Sequence, residues 1–138
     1  MCSSDLYRCT TVEQMDVRER FDIVLAMEVI EHVTDVGAFL RRCMAMLKPG
    51  GLMVVSTLNR NWKSFALAIV GAEYVLRWLP RGTHQWNKFV TPDELARHLA
   101  DNNLTITEQA GVVYNPVADK WSISSDMDVN YMVVAEVV

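Results

Sequence analysis

Two carboxylates and an imidazole fall close together at Glu28, Glu31 and His32. If residues 28 to 32 make one helical turn, the three project from one face at i, i+3 and i+4. Such a set could hold a divalent ion: carboxylate oxygens favour magnesium or manganese, and the nitrogen tolerates iron or zinc. The same Glu-x-x-Glu-His pattern also serves as a salt-bridged turn that orients a loop, and the spacing alone leaves both readings open. An imidazole titrates near neutral pH, which makes His32 the natural proton acceptor of the group. Ser56 and Thr57 contribute hydroxyls, but no G-x-S-x-G elbow surrounds them, and no H-E-x-x-H motif is present. A serine hydrolase and a zinc protease are therefore not indicated.

The elements that must position these groups can be read from hydrophobic pattern. Phe21 to Met27 is a continuous apolar run with β-branched residues, the signature of a parallel strand buried on both faces. It delivers Glu28 to a strand end. Thr34 or Asp35 can cap the helix that follows, in which Val36, Phe39, Leu40, Cys43, Met44 and Leu47 recur at helical spacing. Lys48-Pro49-Gly50-Gly51 should end it, and Leu52 to Ser56 reads as the next strand, giving a right-handed βαβ unit. Thr91, Pro92 and Glu94 spell a capping box with proline at the first helical position, and Val90 can staple onto Leu95. That helix should run to about Asn102. Thr105 to Thr107 and Gly111 to Tyr114 suggest one strand or a bulged pair, and Val129 to Val138 a terminal strand. Asn115-Pro116 and Ser124-Ser125-Asp126 punctuate the hairpin between them.

The chain has 138 residues, half of them apolar, enough for the core of one small domain. Its formal charge of −4 argues against a nucleic-acid partner. The charge is uneven. Residues 60 to 88 hold five basic side chains (Arg60, Lys63, Arg77, Arg81, Lys88) against Glu73 alone, a local +4. Within this stretch, Trp62 to Leu79 is nearly apolar but interrupted by Lys63, Glu73 and Arg77, whose burial in a bilayer core would be costly. An interfacial or lid helix on an anionic lipid surface fits the pattern, as does a helical insert packed on its own domain. Three cysteines, Cys2, Cys9 and Cys43, form no CxxC pair and suit a reducing compartment. Residues 1 to 6 carry Cys2-Ser3-Ser4-Asp5-Leu6, the translation of a common sequencing-adapter tail, and are set apart from the domain expected over 7 to 138.

Several longer strings are more specific than these generic patterns. Ser56-Thr57-Leu58-Asn59-Arg60-Asn61, Val70-Gly71-Ala72-Glu73-Tyr74, Arg81-Gly82-Thr83-His84, Lys88-Phe89 and Asp128-Val129-Asn130-Tyr131-Met132 closely resemble the ubiquinone-biosynthesis O-methyltransferases, over roughly residues 7 to 136. The resemblance implies an α/β fold, the Rossmann-like sheet of a class I methyltransferase, of which this chain supplies the C-terminal half, with a helical insert at about 60 to 88 and a short stub near Tyr7 to Cys9. It implies transfer of a methyl group from S-adenosylmethionine to a ring hydroxyl of a polyprenylated phenol or quinol.

By that likeness Met27 contacts S-adenosylmethionine, and Glu28, Glu31 and His32 occupy the positions of a magnesium site. His32 would be the catalytic base or a ligand. A phenol titrates near pH ~10, so a base or Lewis acid must supply the phenolate. The resemblance also implies peripheral membrane contact through residues 60 to 88 and a place in a ubiquinone-biosynthesis complex. The location would be the cytoplasmic face of the inner membrane in a bacterium, or the matrix side in a mitochondrion. Another small-molecule methyltransferase of the same fold and a non-catalytic membrane-binding module are the alternatives.

The family's glycine-rich turn after its first strand, and the acidic residue ending its second, have no counterpart in this sequence. The chain is therefore expected to be the rear part of such an enzyme, binding S-adenosylmethionine poorly by itself and leaving the strand at Phe21 to Met27 with a bare, aggregation-prone edge.

Overall fold

The computed structural model describes residues 7–66, 86–115 and 117–137. Five strands form one sheet: β1 (Phe21–Met27), β2 (Leu47–Leu58), β3 (Leu104–Asn115), β4 (Lys120–Ser124) and β5 (Asn130–Val137), in the order β1-β2-β5-β3-β4. The β1/β2 pair is parallel, and the other three pairings are antiparallel. Helix α1 (Val36–Ala45) makes the crossover between the two parallel strands, as the pattern predicts. A short turn, α2 (Trp62–Ser64), follows β2, and α3 (Pro92–Ala100) precedes β3.

Local chemistry fixes the helix starts. The Asp35 carboxylate accepts from the Ala38 N–H at 2.9 Å and caps α1. At α3 the capping box forms in full: Glu94 N–H donates to Thr91 Oγ1, and Thr91 N–H donates to the Glu94 carboxylate at 2.9 Å. Arg60 pairs with the same carboxylate. Burial raises the pKa of Glu94, but the Thr91 N–H and Arg60 outweigh it and hold the group below its ordinary 4.5. Its stabilising share is thus present above that value and lost as pH falls through the folded pKa. Thr91→Ala is expected to cost about 1 kcal/mol in thermal unfolding at pH 7. The penalty of Glu94→Gln should be greatest near neutrality and shrink in acid; a penalty independent of pH would contradict this.

Helices α1 and α3 share one core. Leu40 and Cys43 of α1 and Leu95 and Leu99 of α3 cluster with Ala26, with Met53 and Val55 of β2, and with Tyr131, Val133 and Ala135 of β5. Alternate residues on the other face, such as Leu52, Val54, Met132 and Val134, are only half-buried. The Tyr131 hydroxyl donates to the Val90 carbonyl at 2.8 Å and ties β5 to the entry of α3.

Four expectations need correction. Lys48 to Gly51 does not lie between helix and strand: Leu47 already pairs with Phe21, and a register shift before the Ile23–Leu52 pair absorbs the extra residues, with Gly50 at φ 70°. β1 is not buried on both faces. It ends the sheet, and Ile23 and Leu25 are 54% and 65% exposed because nothing among the described residues covers that face. The stub expected near Tyr7 to Cys9 forms no strand; a 3₁₀ turn at Val12–Gln14 comes after it. The region between the last two predicted strands contains β4, which the pattern missed. Where that segment folds back, a Cβ on Gly111 would lie 1.7 Å from the Asp126 carbonyl oxygen, so only glycine fits there. Most of the insert at 60 to 88 lies outside the described residues.

Candidate functional site at the carboxyl end of β1 and β2

Parallel strands β1 and β2 end side by side, with Met27 in register with Ser56. The chain turns sharply at Glu28, whose φ of 53° lies in the left-handed region that non-glycine residues seldom adopt. The turn is held from β2. Glu28 N–H donates to the Ser56 carbonyl at 3.0 Å and to Ser56 Oγ at 3.2 Å, and Ser56 Oγ donates to Glu28 Oε1 at 2.9 Å. A 3₁₀ turn over Ile30–His32 follows, closed by His32 N–H donating to the Val29 carbonyl. Glu28 therefore stands outside the turn, and the expected single helical turn over 28 to 32 is not formed.

The three predicted side chains have different environments. Glu31 is buried at 3% exposure and accepts a hydrogen bond of 2.7 Å from Thr57 Oγ1, itself fully buried. Glu28 is exposed as a residue, but its carboxyl is turned toward buried Ser56 and toward Glu31. Desolvation and the neighbouring Glu31 charge push its pKa up to about 7, against the opposing Ser56 hydrogen bond. His32 is exposed. Met27 is 43% exposed at the strand end.

Among the described residues no three His, Cys, Asp or Glu side chains gather into a metal-holding group. The Glu28 and Glu31 carboxyls are the pair brought together. Their oxygens suit magnesium, which commonly binds through one or two carboxylates and keeps waters in its other positions.

The raised value at Glu28 has a consequence for stability. A carboxyl with a folded pKa above its unfolded one contributes stability below about 4.5 that is lost as pH rises through about 7. Glu28→Gln keeps the acceptor for Ser56 and removes the titration. Between pH 5 and 8, with chelator present, the variant should lose stability less steeply than the parent, by about 1 kcal/mol after allowance for solvent screening. Equal slopes would contradict this.

Around the site the loops are pinned by residues that sequence reasoning had not assigned. Asn59 Nδ2 donates to the Met127 carbonyl at 3.0 Å, and Asn61 Nδ2 to the Asp128 carbonyl at 2.6 Å. Lys63 pairs with Asp126 and Asp128. Arg60 joins Glu94 and also donates to the Phe89 carbonyl at 3.2 Å. Two of the unusual strings, 56 to 61 and 128 to 132, are thereby fastened to each other. Ser56 and Thr57 were visible as hydroxyls but not as partners; their signal was two successive hydroxyls in an otherwise apolar buried strand, which must find acceptors.

Beside the turn opens a groove of about 630 Å³, lined by apolar Ile30, Val33 and Val36 together with cationic Lys88 and Arg97 and acidic Glu94 and Asp101. It begins at residues flanking Glu31 and His32 and offers apolar surface beside charged side chains of both signs.

A family model described as "Methyltransferase domain" matches residues 5–109. The chain is 85% identical over 130 residues to the "Ubiquinone biosynthesis O-methyltransferase" of Rhodopseudomonas palustris (strain BisB18), and equally to that of Bradyrhizobium sp. (strain ORS 278). Each alignment covers 94% of this chain and 51% of the relative. The chain thus spans about half the length of the curated relatives it matches. Among solved structures, magnesium protoporphyrin IX methyltransferase from Synechocystis PCC 6803, with bound SAH, superposes with a TM-score of 0.61 at 13% identity, covering 94% of this chain and 49% of that one. A possible histamine N-methyltransferase from Thermotoga maritima gives 0.61 at 15% identity, covering 92% and 61%. At these identities the likeness speaks for the fold: the Rossmann-like sheet of S-adenosylmethionine-dependent methyltransferases, present here in part.

Proposed function

This chain belongs to the methyltransferase-domain family, and from that premise we propose that it forms part of an enzyme that methylates a ring hydroxyl of a polyprenylated phenol or quinol in ubiquinone synthesis. The observation that carries this reading is the 85% identity to ubiquinone biosynthesis O-methyltransferases along nearly the whole chain. S-adenosylmethionine, when bound, supplies an electrophilic methyl group on a sulfonium and departs as the thioether. Met27 lies at the strand end where that donor would be contacted. His32, exposed on the 3₁₀ turn that carries Glu31, takes the phenolic proton and passes it to solvent, so that the oxygen attacks as phenolate. Glu28 and Glu31 orient the turn that carries His32 and would hold magnesium, whose positive charge favours the phenolate. The groove at Ile30, Val33 and Phe89 receives the apolar body of the acceptor, and placing the nucleophile there supplies much of the rate.

Residues 60 to 88, with their basic and aromatic side chains, dock the enzyme on the lipid surface where an isoprenoid-tailed substrate resides. Among the described residues no helix is long and apolar enough to cross a membrane. Flotation with anionic liposomes should be reduced by Trp78→Glu.

Isothermal titration of these 138 residues should give only weak S-adenosylmethionine binding, because the donor contact assigned here is Met27 alone; micromolar affinity would contradict this. Activity is tested in a chimera in which this chain replaces the aligned segment of the Rhodopseudomonas palustris relative.

A further inference from the structure

Strand β4 (Lys120–Ser124) ends the sheet opposite β1 and pairs only with β3; among the described residues no strand meets its outer side. Its side chains divide by parity. Trp121 and Ile123, 58% and 80% exposed, share a face with Tyr114 and Val112, their partners across β3. Tyr114 and Trp121 form a tilted ring pair at 5.0 Å, and the Tyr114 hydroxyl donates to Asp119 at 2.6 Å, so the hairpin is preorganised. An exposed edge with alternating large apolar residues is a template for another strand.

We propose that this edge pairs with β4 of a second copy of the chain, antiparallel and about a twofold axis through Ser122. The register follows from the sequence of the edge. A twofold that continues the sheet with like faces together must centre on a residue rather than between two. Only the centre at Ser122 pairs all five residues of β4 with one another: Trp121 then meets Ile123 of the second copy, and Lys120 meets Ser124. Aromatic with β-branched is a favourable cross-strand pair, and no like charges are opposed. Centring on Trp121 would instead set Asp119 against Ile123 and leave Ser124 without a strand partner. The contact is isologous, so it closes at a dimer. Its small size, below the ~1,200 Å² of stable complexes, makes it concentration-dependent.

Cysteine substitutions read this register directly in the full chain carrying Cys2→Ser and Cys9→Ser. A residue faces its own copy only at the twofold, so a single cysteine meets its like at disulfide distance only there. Ser122→Cys should therefore give at least about tenfold more oxidised dimer than Lys120→Cys or Ser124→Cys alone. Lys120→Cys mixed with Ser124→Cys should cross-link to each other. Ile123→Lys in the Ser122→Cys background should remove the dimer while circular dichroism stays unchanged. Sedimentation without Ser122→Cys should show the same concentration-dependent dimer. Equal yields at all three positions, cross-linking through Val24→Cys on the β1 edge instead, or a chain that stays monomeric and floats with phosphatidylcholine vesicles through Trp121 would each overturn the proposal.

Discussion

Thr57→Val is expected to lower the unfolding free energy by about 3 kcal/mol, a large effect for a change that preserves shape. Thr57 is fully buried and its hydroxyl gives the 2.7 Å hydrogen bond that Glu31 accepts, with Glu31 itself at 3% exposure. Valine fills the same volume and offers no donor, leaving the carboxyl in a site with little water to replace it. Hydrogen bonds to charged groups are worth about 1.5–3 kcal/mol, and stranding the acceptor adds its desolvation. Thr57→Ser keeps the donor and loses one methyl, so its cost should stay near 1 kcal/mol. Urea denaturation of the three proteins separates these outcomes. Equal losses for valine and serine would mean that packing, and not the Thr57–Glu31 bond, fixes this turn.

The second large effect concerns rate. In the chimera, His32→Ala should lower kcat for a demethylated quinol by at least about 10²-fold, the usual contribution of a positioned proton acceptor. KM should change little, because His32 is exposed and contributes nothing to the apolar lining of the groove. Added imidazole should restore part of the rate, which a structural role would not allow. If kcat survives, proton removal belongs to another group and the role assigned to His32 fails. Glu31→Gln offers a contrast: it keeps an acceptor for Thr57 and so preserves the fold, while removing the charge that would favour magnesium.

The parts legible in the sequence were those governed by local chemistry. Thr91-Pro92-Asp93-Glu94 specified the start of α3 because a capping box is completed within four residues. The β1-α1-β2 unit was equally clear, since apolar period changes from strand to helix and back. What escaped was set by distant partners. β4 is Lys-Trp-Ser-Ile-Ser, too short and exposed to announce itself, and it is a strand because β3 runs beside it. Lys48-Pro49-Gly50-Gly51 looks like a breaker, yet Phe21 draws Leu47 into the sheet ahead of it.

At the site, the residue types were readable but their arrangement was not. Glu28 leaves helical geometry because Ser56 holds both its N–H and its carboxyl, a contact across 28 positions of sequence. Glu28 and Glu31 are brought together at one strand end, the first exposed with its carboxyl turned to Ser56 and the second buried, while the His32 imidazole is exposed. The division of labour proposed for them comes from those three environments.

The most direct test is methyl transfer itself. Radiolabelled S-adenosylmethionine is given to the folded chimera with a demethylated short-tail quinol, and in parallel with phenols that bear no isoprenoid chain. Label is expected on the ring oxygen of the quinol, little on the other phenols, and loss of both in His32→Ala. A folded chimera that leaves the quinol unlabelled, or labels the unrelated phenols equally well, would contradict it.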